Sequence, residues 1–560
     1  MFIENLHDDF YKLLIGKRIL LIVNYDLDAI CASKILITLF KFDNMLYSLI
    51  PVMGRSGLER AFNEHRNDVK HVLLVNCGGG IDLVDVLQPD EDVVFYVCDS
   101  HRPYNVCNVY SNGQVQIIGT ADEDDRIPEF EEIFQDSETE EEQDDDSGQE
   151  NGSDSEQEGE TRMERIERQA LKRRARRKWE QKRDEVMFQY TQYNYYGRST
   201  ALTLYELAWK LCKESMDLLW FAIVGATEQL ILGKIESATY TLESAKIQAH
   251  CSRLMNRTSD QSVHTTVKIL YENDLHLALY RHWNVQDSLK HSMYPACQLK
   301  LWTARGEKRM NELLVEMGLP LVQARQSFSS MDLTLRKEFY KMLEGLADKY
   351  GMPDLIYGSF TLQYGYRNRF SAADYVYSMI ASLESISKEK SPEQCFLETF
   401  DSLSRLSKPL LETGINKAKQ MLNVIVKQLQ SCLDMHQVKS AGPFLYYILQ
   451  EENSFFSCPY GITMLAKFVL RAYVAVSRNR RAIQLPLVLS SVLDAERGLC
   501  LMVGVPPVSL DARNLFGRAF EEAANKSRVM ISQDSFEESI IQIRQNDQTK
   551  FLDALTVVLS

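Results

Sequence analysis

The chain has 560 residues, 45% of them hydrophobic, and a formal net charge of −15, which is the profile of an ordinary globular protein of roughly two to four domains. Its 11 cysteines include no C-x-x-C pair and its 10 histidines no H-E-x-x-H, so neither a disulfide framework, the common zinc-site spacings nor zinc hydrolase chemistry has a foothold. The charge is uneven: Ala121–Glu160 holds 20 Asp or Glu against Arg126, and Thr161–Met187 holds 11 Lys or Arg against 5 acids, which leaves the rest at −2 and excludes a wholly basic nucleic-acid surface.

The N-terminus, MFIENLHDDFYKLL, carries acids where a signal peptide carries positive charge, and the most apolar later stretch, Leu218–Thr227, is too short to span a bilayer. The expectation is a soluble, intracellular protein with no membrane partner. Through residue 118, apolar runs alternate with helical patterns: Arg18–Asp26, a helix from about Ala29, Leu46–Val52, a helix near Gly57, His71–Asn76 and Val93–Asp99. Such Val-, Ile- and Leu-rich runs, not alternating with polar residues, predict strands buried on both faces in a doubly wound parallel sheet. Ligands of such sheets sit beyond the carboxyl ends of the strands, where Asp26, Asp28, Asn76 and Asp99 fall.

Segment 119–160 is too acidic and too poor in apolar residues to offset chain entropy, and predicts a disordered insertion. Ser137, Ser147, Ser153 and Ser155 each have an acid three residues later, which makes them candidate phosphoacceptors. Segment 161–187, free of Gly and Pro and polar all round, predicts a long solvated helix. Its cluster Lys172, Arg173, Arg174, Arg176, Arg177 and Lys178 suits a nuclear-import signal, a nucleic-acid contact or a simple counter-charge to the acidic tract.

Segment 188–290 reads as mostly helical, with TALTLYELAWKL and LHLALYRHW its clearest amphipathic pieces. Segment 291–394 reads as a second helix-rich block, a helical insertion suited to partner docking, with only Phe360–Tyr366 strand-like. In 395–560 a long helix from about Gln394 to Leu433 leads into four strand-like runs, FLYYILQ, LPLVLSSVL, LCLMVGVPP and SIIQIRQ, and a closing helix FLDALTVVL, a C-terminal α/β domain with a mixed sheet.

Two carboxylates at i, i+2 after a strand aim hard oxygen ligands into one space, as magnesium or manganese requires. The bland alternative is a helix N-cap by Asp28 with Asp26 solvated. Taken together, DLDA at the first strand end, NCG (Asn76–Gly78), DSHRP (Asp99–Pro103) and AIVGATEQ (Ala222–Gln229) resemble, in order, the four motifs of the DHH phosphoesterase superfamily, which includes the RecJ nucleases. The resemblance implies a two-manganese site held by the D-x-D pair, an Asp of the second motif, the first His of D-H-H and an Asp of the fourth. Here Asn76 stands where the second motif has its Asp, Ser100 where the third has its metal-binding His, and Glu228 where the fourth has Asp; Asp99 and His101 match their neighbours.

Two dications about 4 Å apart repel by roughly 17 kcal/mol at an effective dielectric near 20, so a two-metal site depends on several anionic ligands. Asn76 removes one, and a serine hydroxyl for imidazole weakens any manganese site. The expectation is no two-metal catalysis and no cofactor, with room left for a single weakly held divalent ion at Asp26 and Asp28.

The segments DLDAICASKIL, LQPDEDVVFYVCDSHRP, ELAWKL, KLWTARGEKRM, MGLPL, GPFLYYIL, NLFGRAFEEAA and KFLDAL, spread over nearly the whole length, resemble the cell division control protein 45 family of eukaryotes, degenerate RecJ relatives. The resemblance implies an N-terminal DHH-like domain, a helical insertion and a C-terminal DHH-associated domain. It implies a non-catalytic subunit of the replicative DNA helicase, joining the MCM hexamer and the GINS complex, with weak single-stranded DNA binding. Other replication-initiation factors and replicative polymerases would be further partners, in the nucleus, at origins and forks. The MCM partner would hydrolyse ATP, since no G-x-x-x-x-G-K-[ST] loop occurs here.

Where DHH-associated domains carry G-G-G-H, this chain has FGRAFEEAA (Phe516–Ala524), with Arg518 as a candidate phosphate contact or a plain helix-surface arginine. Arg367 and Arg369 in YGYRNRF, and Arg478, Arg480 and Arg481 in SRNRR, are further candidate DNA contacts beside aromatic or flexible positions. The competing classes are an active manganese-dependent exonuclease or phosphodiesterase and a free single-strand-binding protein. The near-neutral body argues against the last.

Overall fold

The structure is a computed structural model and describes residues 1–111, 113–120, 125–134, 162–258, 267–365, 368–387, 390–450, 453–509 and 512–560. It divides into two compact units, Met1–Thr120 with Asn194–Ser560, and Ala121–Tyr193.

In the larger unit the N-terminal runs form a six-stranded, wholly parallel sheet. Its order is Phe2–Ile3, Val115–Ile118, Val94–Cys98, His71–Val75, Arg18–Asn24, Leu46–Val52. Both faces are buried, which is why these runs do not alternate with polar residues. Ile19, Leu21 and Val23 face the helices Leu27–Phe42, Thr200–Lys210 and Met216–Ile231, while Leu20 and Ile22 face Arg55–His65 and Leu83–Leu87. Helix Leu27–Phe42 is apolar around most of its circumference because it lies between the sheet and two other helices.

Three sequence expectations are corrected by the structure. LHLALYRHW is not a helix: its leucine Leu275 ends the strand Lys268–Leu275, and only Tyr280–His282 makes a single 3₁₀ turn. Leu279 adopts φ +53°, which interrupts any helix, and Asp274 gathers the Tyr280 hydroxyl at 2.9 Å and both terminal nitrogens of Arg281 at 2.8 and 2.9 Å. The helix-rich block that follows contributes two strands rather than one: Ile356–Tyr364 pairs antiparallel with Asn368–Ser371 on one side and with Lys268–Leu275 on the other. Finally, the long helix expected from Gln394 is two, Pro392–Ser402 and Lys408–Asp434. Ser391 and Gln394 cap the first reciprocally, and Pro409, unable to donate to the preceding turn, starts the second.

The C-terminal strands form a mixed sheet in the order Lys439–Ser440, Leu445–Ile448, Leu487–Asp494, Leu499–Val505, Ile540–Arg544, with only the second and third parallel. Helices Phe516–Ser527 and Gln548–Leu559 cover one face through Phe516, Phe520 and Phe551, and Pro459–Val476 covers the other. Asp534 and Tyr460 help bind this sheet region to the N-terminal one. Asp534 accepts from the Arg55 and Ser56 amides, both at 2.7 Å, at the start of helix Arg55–His65, and the Tyr460 hydroxyl accepts from the Leu27 amide at 3.1 Å. The fold is thus mixed α/β with an N-terminal parallel sheet and a C-terminal sheet.

In the smaller unit the helix Arg162–Thr191 is tied to Phe130–Ile133 by Lys182 to Glu132 at 3.0 Å. Lys172, Arg173, Arg174, Arg177 and Lys178 are exposed, and Arg176 pairs with Glu180 one turn on at 3.0 Å. Ser137, Ser147, Ser153 and Ser155 lie outside the described residues.

Candidate functional site

Asp26, Asp28 and Asn76 lie just past the carboxyl ends of adjacent strands, with Asp99 and Ser100 past the next one. The capping roles are the reverse of those expected. Asp26 is the N-cap of Leu27–Phe42, accepting from the Ala29 amide at 2.7 Å, and is itself buried. Asp28, in the first turn, turns to a different helix. Its carboxylate accepts from the Ser199 hydroxyl at 2.5 Å and from the Thr200 and Ala201 amides at 2.8 and 3.1 Å, closing the free N-terminus of Thr200–Lys210.

Asn76 joins the two. Its Nδ2 donates to Oδ1 of Asp26 at 3.2 Å and to Oδ2 of Asp28 at 3.3 Å, while its Oδ1 accepts from the Ser100 amide at 3.1 Å, the Ser100 hydroxyl at 3.3 Å and the Thr200 hydroxyl. A backbone N–H can only donate, so the Ser100 amide fixes which way the Asn76 amide points. An aspartate there would set a third carboxylate against Asp26 and Asp28. Burial raises the Asp26 pKa, opposed by the charge of Lys234 and reinforced by Asp28.

Asp99 and His101 form their own pair. The carboxylate accepts from the His101 ring at 2.7 Å, the His101 amide at 2.9 Å and the Gly79 amide at 2.9 Å. Burial disfavours both charges, yet the pair outweighs it: Asp99 is held below the usual carboxylate range and His101 above the usual imidazole one. Gly79 is required, since a Cβ there would lie 2.8 Å from Asp99 Oδ2.

Glu228, on Met216–Ile231, is fully buried and pairs with Lys234 at 2.8 Å, while its Oε2 has no hydrogen-bond partner among the described residues. Burial pushes the Glu228 carboxyl up to about 7 against the pull of Lys234. Burial also opposes the charge on Lys234, but Glu228 foremost, then Tyr196, Tyr460 and Asp26, hold its pKa well above the ordinary lysine value. The ammonium lies 4.6 Å from the centre of the Tyr196 ring. Gly225, one turn before Glu228, lets the helix approach: a Cβ there would lie 2.6 Å from Asp28 Oδ1.

A cavity of about 770 Å³ opens beside this cluster, between the strand ends, the Leu230–Ala238 turn and the C-terminal sheet. Asp26, Asp99 and His101 line one part of it, Lys234, Lys467 and Arg471 another, and Tyr196, Tyr357 and Tyr460 contribute aromatic surface. Burial brings Lys467 down to about 8. Glu384, at the same wall, is pushed up to about 8 by burial, against the Gly461 amide that donates to it at 2.8 Å. The candidate DNA-contacting arginines lie elsewhere: Arg369 pairs with Glu272, Arg518 with Glu522 at 3.0 Å, and Arg478, Arg480 and Arg481 are exposed around the turn after Pro459–Val476. Arg367 lies outside the described residues.

Sequence reasoning missed Ser199, Thr200, Lys234, Lys467 and Glu384. The Ser-Thr pair before TALTLYELAWKL was a readable N-cap signal, and Lys234 sits just past the end of the helix bearing AIVGATEQ, where cations are favoured. Lys467 and Glu384 carry no comparable local sign. Among the described residues, no three His, Cys, Asp or Glu side chains gather in a metal-binding arrangement.

The chain aligns with the human and fission-yeast (Schizosaccharomyces pombe) proteins called cell division control protein 45 homolog. Identity is 41% with the human protein, over 100% of both chains, and 29% with the yeast protein, over 97% of this chain and 96% of that one. The crystal structure of CDC45 from Entamoeba histolytica superposes with a TM-score of 0.71 at 26% identity, over 100% of both chains. The CDC45 family model matches residues 19–169 and 160–558, and the chain belongs to the CDC45 family.

Proposed function

We propose that this CDC45-family chain, by its family a DNA-replication factor, works as a non-catalytic subunit of the replicative DNA helicase, in complex with the MCM hexamer and GINS. It holds single-stranded DNA weakly and acts in the nucleus on chromatin. The observation that carries the non-catalytic part is the Asn76 amide lying between Asp26 and Asp28. The donor set does not fit a pair of manganese ions: Asn76 turns N–H groups, not oxygen, toward the carboxylates, Asp28 is committed to a helix N-terminus, and Lys234 brings a cation of its own. Nucleophile activation by metal-bound water therefore has no support here.

The partner assignment rests on the family likeness, and the cavity supplies cations and tyrosines of the kind that hold a phosphate backbone and stack on bases. Affinity purification from replicating cells, read by mass spectrometry, is expected to recover MCM and GINS subunits from chromatin. Their absence overturns the proposal. In parallel, purified chain with manganese is expected to leave single-stranded DNA intact; degradation that Asp26→Asn abolishes would establish the exonuclease instead.

A further inference from the structure

Three carboxylates converge beside the cavity, Asp26 at its wall and the other two behind it: Asp26 is 8% exposed, Asp28 1% and Glu228 0%. Buried acids in such a group need positive charge or donors close by, because the low-dielectric interior strengthens their mutual repulsion while removing water. Asp28 is satisfied by the N-terminus of Thr200–Lys210. Asp26 caps its own helix, Leu27–Phe42, whereas Glu228 meets no helix N-terminus. Asp26 receives the Ala29 amide and the side-chain amides of Asn24 and Asn76, and Glu228 receives only Lys234, with its Oε2 unpartnered among the described residues.

Lys234 is held for this task. Its side chain is 13% exposed, its ammonium is 2.8 Å from Glu228 Oε1, and the face of Tyr196 covers it at 4.6 Å. The neighbouring cation, Lys467, is directed at the carbonyl of Leu232. We propose that the Lys234 ammonium is a built-in cation for Glu228 beside the strand-end carboxylates, to which the neutral Asn76 amide adds hydrogen-bond donors, and that removing the ammonium leaves a site that draws a divalent cation from solution.

Without Lys234, both oxygens of Glu228 are left without a partner, hard donors of the type magnesium and manganese take, with water completing the shell and Asp26, whose Oδ2 keeps the Asn24 amide at 2.7 Å, adding negative charge beside them. With Lys234 present, the folded state has no use for such an ion. The inference rests on the reading of the cluster as non-catalytic. Its test uses the isolated full chain, so failure to recruit helicase partners would leave it untouched.

The experiment is thermal unfolding of the full-length chain in EDTA and in millimolar MnCl2 or MgCl2, with KCl at matched ionic strength as control. The wild-type Tm is expected to agree within about 1 °C in all of them. Lys234→Met is expected to lose about 4 °C or more in EDTA and to recover at least half of that with either divalent salt, but not with KCl. The double variant Lys234→Met/Glu228→Gln is expected to unfold close to the wild type without metal, because the uncompensated charge has been removed with its partner. A wild-type chain stabilised by MnCl2 as much as Lys234→Met, or a Lys234→Met loss that neither divalent ion repairs, would overturn the proposal. If Lys234→Met yields no folded protein, the double variant decides. Recovery of a folded, metal-indifferent chain supports the built-in cation, and failure of the double variant as well overturns it in favour of a packing role for the lysine stem.

Discussion

The side-chain nitrogen of Asn76 lies 3.3 Å from Oδ2 of Asp28, a hydrogen bond between residues 48 positions apart that holds two strand ends and the start of a distant helix in one network. Asn76 adopts φ +52°, a left-handed conformation that asparagine tolerates better than most residues, so backbone and side chain both suit the position.

Asn76→Asp is therefore expected to destabilise the chain by about 2–4 kcal/mol at neutral pH, since it replaces a donor by a third buried carboxylate. Chemical denaturation at pH 7 and pH 5 checks this. The deficit should shrink at the lower pH, where the added carboxyl takes a proton.

Gly225→Ala brings a methyl within 2.6 Å of Asp28 Oδ1 and 2.8 Å of Ala201 Cβ, so Met216–Ile231 must move away from both. The expected cost is about 1–3 kcal/mol. Asp28→Ala instead leaves the Thr200 and Ala201 amides without their acceptor and should cost a similar amount. The two should be clearly non-additive in a double-mutant cycle by urea unfolding, because they disturb the same contact.

Glu384 sets an alkaline limit. Burial raises its pKa from 4.5 to about 8, so in the folded chain it is mostly protonated at neutral pH, whereas in the unfolded chain it is ionised. A raised folded value means the contribution to stability is whole below about 4.5 and is lost as pH climbs to about 8. Glu384→Gln should remove that slope and leave the variant more stable than the wild type at pH 8, by an amount on the order of a few kcal/mol. Tm against pH from 5 to 9 is the measurement; parallel curves for the two chains would refute the assignment.

Asp534 closes the start of Arg55–His65 with its carboxylate, taking the Ser56 amide at 2.7 Å and the Ser56 hydroxyl at 3.0 Å. Asp534→Ala should cost about 1 kcal/mol, the usual worth of a helix cap, and should speed limited proteolysis between Met530 and Ser539. Unchanged cleavage there would mean that Phe536, packed against the sheet, holds the segment alone.

Lys467 and Arg471 project from Pro459–Val476 toward the cavity. If the cavity holds single-stranded DNA, replacing either by alanine should weaken binding and lower the salt slope by about 0.7 each. Binding should also weaken as pH passes about 8, where Lys467 gives up its proton. Fluorescence anisotropy with a labelled oligonucleotide at several salt concentrations reads both effects.

The parallel sheet was legible because a strand buried on both faces must be apolar at every position: Ile19 to Val23 face two different cores in alternation, and no polar residue can be spared. The four C-terminal strand runs were legible for a related reason. The position of the candidate site followed from topology, since strand ends face the ligand side of such sheets, and Asp26, Asp28, Asn76, Asp99 and Ser100 do lie there.

Where partners lie far apart in the chain, local pattern was mute or misleading. Leu275 to Trp283 reads as an amphipathic helix until Lys268–Leu275 pairs with Ile356–Tyr364, some 80 residues on, and Asp274 gathers Tyr280 and Arg281. The same limit applies to Asp28, whose spacing after a strand suggests a metal ligand or a cap for its own helix. Only the folded chain brings Ser199, Thr200 and Ala201 to it. The sequence by itself determined which residues stand at the strand ends, because burial dictates the strands. Local neighbours such as Asn24, Ala29 and His101 supply some of their donors, but only tertiary structure brings Asn76 to Asp26, 50 residues away, and Ser199 to Asp28, 171 residues away.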